Sequence, residues 1–144
     1  MVHPHRYSHA LIEETGEFVI NIPTVDIAEE TWYCGTRSGR KFDKFKETGL
    51  TPVPAKHVSP PLIKECPINI ECRVVEKVKP HCSKYTYFFG KALAVHAEEG
   101  VWDGNILNLD KCRVTFALLA GRVSESQFIA PGKIVLKEGK AVRD

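Results

Sequence analysis

Arg6 and Ser8 stand at the head of RYSHALIEETG, and their types and spacing suit them to gripping an anion. Ser8 is expected to cap a short helix, its hydroxyl accepting a hydrogen bond from an amide that the first turn leaves unpaired. The amides of that turn point outward along the helix axis, and Arg6 sets a fork-shaped permanent charge beside them. That chemistry would suit a ligand phosphate. A plainer reading leaves Ser8 as a cap and Arg6 as a solvated cation. His3, His5 and His9 also cluster. His5 is expected to precede the helix that carries His9, so no metal site is assigned to them. The five cysteines, Cys34, Cys66, Cys72, Cys82 and Cys112, are odd in number and irregular in spacing, with no CxxC pair. That argues against a zinc ribbon or a thioredoxin-type motif and leaves reduced, mostly buried thiols as the default.

The anion-seeking pair must be held by the elements around it. Leu11 and Ile12 give the first helix an apolar face, Glu13 and Glu14 follow, and Gly16 suits the left-handed residue that closes it. Phe18, Val19, Ile20 and Ile22 then form a β-prone run that Pro23 ends. Thr24 and Asp26 can open a second helix, with Val25, Ile27, Ala28 and Trp32 on its apolar side and Gly35 at its end. The polar, basic segment Thr36 to Lys41 reads as a loop into a short helix, Phe42 to Thr48, closed by Gly49. TPVPA, from Thr51 to Ala55, is expected to be an edge strand or extended loop, because proline cannot donate to a ladder.

From Pro67 the pattern turns to β. Ile68, Ile70, Cys72 and Val74 alternate with Asn69, Glu71 and Arg73, the period of a half-buried strand. The phase slips at Val74-Val75, as a bulge would make it, and Val75 and Val78 become the apolar positions. Lys79 to Lys84 is a turn. Tyr85 to Val95 is a second long strand, with apolar residues on both sides that point to a central place in its sheet. Val101 to Asn105 reads as a hairpin-like turn, Val114 to Ala120 as a strand or buried helix that Gly121 breaks, and Ile134 to Leu136 as a last short strand after a turn at Ile129 to Lys133. The sum is a mainly β, α+β chain: a bent antiparallel sheet, barrel-like, with short helices near the N-terminus.

Length and charge bound the rest. The 144 residues suit a single domain, 1–144, with a real core. A formal charge of +2, with its cations spread along the chain, argues against nucleic acid as a partner. No run is long and apolar enough to span a bilayer, so no membrane partner is expected. MVHPHRYSH lacks the apolar centre of a signal peptide, and a soluble, cytoplasmic protein is the expectation.

At this point the chain resembles a known family, the flavin reductase-like, FMN-binding split-barrel proteins, and within it the flavoredoxin branch. The pieces that carry the likeness are Arg6-x-Ser8-His9, ETGEFVINIP from Glu14 to Pro23, Gly35-x-x-Ser38-Gly39 with Asp43-Lys44-Phe45, and Gly49-Leu50-Thr51-Pro52. Ile70-Glu71-Cys72 and Phe89 to Val95 continue it. The likeness covers most of residues 3 to 105 and lies in the ordered succession of pieces; Cys112 to Phe128 departs from the family pattern beyond Gly121-Arg122. It implies an antiparallel split β-barrel and a homodimer that binds one FMN per subunit near its interface. It implies that Arg6 and Ser8 contact the FMN phosphate, with Ser38, Lys41 and Lys44 closing over it, and that His81 lies near the flavin or nicotinamide, while the residues around His81 read at least as well as an exposed turn histidine with no role. A helix start and a basic loop can neutralise one phosphate together, so the physical reading agrees. The plainer reading of Asp43-Lys44-Phe45 is a solvated helix with Phe45 in the core, and for Phe45 that reading is preferred.

Family members carry two or three further strands ahead of the point matched by Met1-Val2, so the likeness implies a start placed too late, a truncated chain or a shortened member, and for the chain as it stands an open sheet edge unless a partner chain covers it. The activity implied is an FMN-dependent oxidoreductase that takes hydride from NAD(P)H, or electrons from a redox protein, and passes them to flavin, ferric complexes or a redox partner. The cofactor does that chemistry, so no catalytic side chain is assigned. The alternatives are a flavin-binding module without turnover and a dimeric structural remnant. Cys34 or Cys82 could join an electron relay only as reactive thiols, whereas buried cysteines are ordinarily inert packing.

Overall fold

The glycines and prolines that punctuate the sequence divide it into short helices and antiparallel strands. The structure, a computed structural model, describes residues 1–102, 105–118, 127–130, 133–137 and 140–141. Helix α1 spans Tyr7–Thr15, strand β1 Glu17–Ile22, helix α2 Ala28–Thr36 after a 3-10 turn at Val25–Ile27, and helix α3 Lys44–Thr48. Strands β2 (Pro52–Val53), β3 (Leu62–Ile63), β4 (Ile68–Val78) and β5 (Tyr87–Ala97) follow. Helix α4 (Leu109–Cys112) precedes β6 (Phe116–Leu118), β7 (Gln127–Ala130), β8 (Lys133–Lys137) and β9 (Lys140–Ala141). The strands form three antiparallel sheets, β1-β4-β5, β2-β3 and β6-β7-β8-β9.

Gly16 adopts the left-handed conformation (φ 67°) and its amide bonds Ile12 O, so α1 stops and β1 begins one residue later. Gly49 closes α3 in the same way, and the Asp43 side chain caps its start by accepting from the Lys46 amide at 3.2 Å. The Thr24↔Val114 bridge and the bond from the Thr115 amide to Pro23 O tie the end of β1 to the segment after α4. There Val101, Cys112 and Val114 are buried and pack against Ile22 and Ile68, the apolar centre of this end of the sheet.

Several expectations need correction. The helix begins at Tyr7 with Arg6 as its N-cap and no side-chain cap, so Ser8 sits inside the first turn. Helix α2 runs through Gly35 to Thr36, whose hydroxyl bonds Trp32 O and prolongs the last turn. The bulge falls where the phase slips, between Val74 and Glu76, but Val75 and Val78 face outward, Val75 at 66% exposure. A second irregularity lies between Glu71 and Cys72. Strand β4, flanked by β1 and β5, is the central strand, while β5 pairs with β4 alone among the described residues. Phe89 and Val95 of β5 are accordingly exposed. Beyond the expected last strand lies β9, antiparallel to β8. Of the C-terminal turns and breaks read from the sequence, Asp103-Gly104, Leu119 to Ser126 and Pro131-Gly132 lie outside the described residues.

The clearest inversion is on β4. Asn69 and Glu71, expected to face water, are buried, and Ile68 and Ile70 are only half-buried. The reason is the chain between α3 and β4, whose amides at Lys56, His57 and Ile63 are met by side-chain oxygens of the neighbouring sheet. Asn69 Oδ1 and Asn21 Oδ1 both accept from the Ile63 amide, and Asn69 Nδ2 donates to Cys66 O. Glu71 accepts from the amides of Lys56 at 3.0 Å and His57 at 2.6 Å. Glu17 accepts from the Ser59 amide and from Arg73.

Candidate functional site

The sequence pointed to Arg6, Ser8, Ser38, Lys41 and Lys44 from two separate stretches, and all five line one open cleft of about 980 Å³. Three walls make it: the N-terminal turn of α1, the C-terminal turn of α2, and the loop from Arg37 to Asp43 with the start of α3. Each wall has a local cause. Helix α1 is docked on the sheet by His9, whose Nε2 lies 2.9 Å from Thr86 Oγ1 and whose ring meets Phe88 edge-on at 5.3 Å. The 2.8 Å ion pair between Glu13 and Lys77 fastens the same helix to β4. Val2 exchanges two backbone bonds with Thr86, fixing the segment that leads into the helix. The loop is folded on itself by the amides of Lys41 and Phe42, which both donate to Ser38 O.

The electrostatics are one-sided. The lining holds five permanent cations, Arg6, Arg37, Arg40, Lys41 and Lys44, against one carboxylate, Asp43, which is engaged in capping α3. Arg6 Nη1 donates to Gly35 O at 3.4 Å, and Lys44 Nζ donates to Cys34 O. Both acceptors are carbonyls of the last turn of α2, the negative end of that helix, so it orients the two cations at the cleft wall without neutralising them. Among the described residues none of the five cations is in a salt bridge. At the facing wall the first amides of α1, at Tyr7 and Ser8, precede any intrahelical acceptor. An arrangement of this kind attracts and holds an oxyanion.

Reasoning from sequence did not single out Arg37 and Arg40, although both lie in the stretch read as a basic loop. The Arg40 guanidinium sits over the Tyr7 ring at 4.6 Å and that of Arg37 over Tyr33 at 5.9 Å. Arginine next to a loop gives no signal of which aromatic it will find across the fold. His81 is exposed in the turn between β4 and β5 and does not line the cleft. Phe45 lines it and is only half-buried.

Cys34 also lines the cleft; burial pushes its thiol above the ordinary range, which keeps it protonated and weakly nucleophilic. Cys66, Cys72 and Cys112 are buried, burial raising Cys66 to about 11, and Cys82 is exposed.

A second polar cluster was not foreseen at all. Glu71, with 0% exposure, meets His96 Nε2 at 2.6 Å through Oε1. Burial would raise the Glu71 carboxyl, but the Lys56 amide, the His96 ring and the His57 amide together outweigh it and hold it at about 2. An ionised carboxylate only accepts, so Nε2 carries the proton of that bond. With both oxygens committed to amides and a ring, Glu71 is an anchor for the loop at Lys56-His57.

The flavin reductase-like domain profile matches residues 1–114, which include every wall of the cleft. An uncharacterised protein of Archaeoglobus fulgidus is 43% identical over 99 residues, 69% of this chain and 55% of that protein. This chain therefore spans about half the length of that relative. Among solved structures, the flavoredoxin of Desulfovibrio vulgaris is similar with a TM-score of 0.74 at 29% identity, covering 92% of this chain and 68% of that one. The flavoredoxin from Methanosarcina acetivorans gives 0.76 at 28%, covering 92% and 67%. The expected architecture, mainly β with antiparallel sheets and few short helices, agrees with these split-barrel neighbours. Among the described residues no helix is long and apolar enough to cross a membrane.

Proposed function

The chain belongs to the flavin reductase-like family, and from that premise we propose that it is an FMN-binding redox protein whose cleft takes the FMN phosphate. The observation that carries this reading is the convergence of Arg6, Ser8, Ser38, Lys41 and Lys44 on one cation-rich cleft at the head of α1. The donor set suits a phosphate: two cations already oriented by the α2 carbonyls, two hydroxyls, and helix amides. FMN, when bound, would supply the hydride and electron chemistry. The chain's own part is to hold the phosphate and to orient the ring. His81 stands apart from the cleft, and a role for it beside the ring rests on the family likeness.

In this reading residues 1–144 are one domain, and electrons come from NAD(P)H or a redox protein and leave to a flavin, a ferric complex or a protein partner. A homodimer belongs to it as well. Ile20, Ile70 and Val95 form one row across β1, β4 and β5, and Ile20 and Val95 are 42% and 44% exposed, an apolar strip that a second copy would cover. Five free thiols suit a reducing, cytoplasmic setting.

The test is a titration of the chain with FMN, followed by quenching of flavin fluorescence. Saturable binding is expected, weakened about tenfold or more by Arg6→Ala, since a charge-assisted bond to a phosphate is lost. Equal affinity in wild type and Arg6→Ala would remove the phosphate assignment. NAD(P)H oxidation by the FMN-loaded chain separates a reductase from a flavin-binding module without turnover.

A further inference from the structure

One phosphomonoester brings about two negative charges at neutral pH, and the cleft sets five cations against a single engaged carboxylate. Arg6, Lys41 and Lys44 suffice for one phosphate. Arg37 and Arg40 remain, and they share features the other three lack. Each guanidinium lies over a tyrosine ring, Arg37 over Tyr33 and Arg40 over Tyr7. A guanidinium held by its face keeps its in-plane N–H donors for an oxyanion met edge-on. The stack at Tyr7 is built closely: a Cβ at Gly39 would lie 3.2 Å from the ring, so the loop backbone rests against the same tyrosine that Arg40 covers. Tyr7 is the first residue of α1, which brings Arg40 to the end of the cleft where Arg6 and Ser8 stand. Among the described residues neither arginine has a carboxylate within ion-pairing distance. The cleft, at about 980 Å³, is at the upper end of the size range of ligand sites, with room beyond one phosphate.

We propose that Arg37 and Arg40 form a second anion subsite of the cleft, which takes a phosphoryl group of an adenine nucleotide bound next to the flavin. The inference rests on the reading of the cleft as an FMN-phosphate site and adds to it a recognition element for the electron-donating dinucleotide. The phosphoryl group comes either from the pyrophosphate of such a donor or from a 2′-phosphate on its ribose.

The test is calorimetric titration of the full chain, saturated with FMN, with ADP and separately with adenosine 2′,5′-bisphosphate. It is run on wild type and on the double variant Arg37→Gln/Arg40→Gln, whose exposed positions leave the fold intact, as circular dichroism would verify. The wild type is expected to bind at least one nucleotide, and the double variant to bind it about tenfold more weakly, a clearly larger loss than the one it shows for FMN. Tighter binding of the bisphosphate assigns the 2′-phosphate; tighter binding of ADP assigns the pyrophosphate. The proposal is overturned if neither nucleotide binds the FMN-loaded chain. It is also overturned if the double variant leaves nucleotide affinity unchanged, or loses FMN and nucleotide in the same proportion. If the wild type takes up no FMN, the flavin reading has failed, and the nucleotides are titrated into the chain alone. There, loss in Arg37→Gln/Arg40→Gln but not in Arg6→Ala still supports a separate subsite, and equal loss in both overturns it.

Discussion

Gly90 sits on β5 opposite Val74, and its lack of a side chain is filled by a neighbour. A Cβ built there would lie 2.4 Å from Phe18 Cζ, 2.9 Å from Phe18 Cε1 and 3.1 Å from Cys72 Cβ. Carbon atoms pack best at about 3.5–4.0 Å, so Gly90→Ala requires the Phe18 ring to retreat by roughly 1 Å. Cys72 is buried on the central strand and gives no room on that side. Overpacking of this kind costs about 1–3 kcal/mol, and the reduced freedom of the unfolded chain returns up to ~1 kcal/mol of it. A net loss of about 1–2 kcal/mol corresponds to a Tm lower by about 3–8 °C in a chain of this size. Thermal unfolding followed by circular dichroism measures it, with the same substitution repeated in a Phe18→Ala background. Removing the ring removes the clash, so there Gly90→Ala is expected to be neutral or mildly stabilising, with a coupling of about 1 kcal/mol or more between the sites. An equal fall in Tm in both backgrounds would show that Phe18 does not fill the space at Gly90. The register of β1 on β4, and with it the footing of α1, would then need rebuilding.

Acid unfolding should report on Glu71. Its carboxyl is held at about 2, well below the unfolded range near ~4.3, so its contribution is complete above that range and is lost as pH falls from about 4.5 towards 2. Chemical-denaturation midpoints at pH 5, 4 and 3 should therefore fall less steeply for Glu71→Gln than for wild type; parallel slopes would refute the anchor. Alkylation of the native chain should label exposed Cys82 first, half-buried Cys34 more slowly, and Cys66, Cys72 and Cys112 only on unfolding. Rapid labelling of Cys34, read by mass spectrometry, would reopen an electron relay through that thiol.

The local grammar of the chain was readable wherever one residue type has one use. Gly16 and Gly49 close helices because left-handed backbone is needed there, and the slip at Val74-Val75 marked the bulge because the side-chain period of a strand is fixed. What escaped depends on partners distant in sequence. Nothing in INIECR tells that Glu71 turns inward, since its partners are the Lys56 and His57 amides and the His96 ring, or that Asn69 does, since its partners are main-chain groups of Ile63 and Cys66 that only the fold presents to it. The position of Ser8 shows the same limit at short range: either Arg6 or Ser8 can precede a helix, and the structure starts it one residue after Arg6. At the cleft, Arg6, Ser8, Ser38, Lys41 and Lys44 could be selected as anion-seeking or by family likeness, and the fold brings all five to one cavity. Arg37 and Arg40 could not, because their tyrosine partners lie on α2 and α1.

The central claim is that the cleft at the head of α1 holds a phosphate, and comparison of FMN with riboflavin tests it most directly, because the two differ only in that group. The account predicts that the wild-type chain binds FMN at least about a hundredfold more tightly than riboflavin, the effect of two or more charge-assisted contacts. It also predicts that the difference shrinks as salt is raised, and that most of it disappears in Arg6→Ala. Equal affinity for FMN and riboflavin, unchanged by salt or by Arg6→Ala, would contradict it.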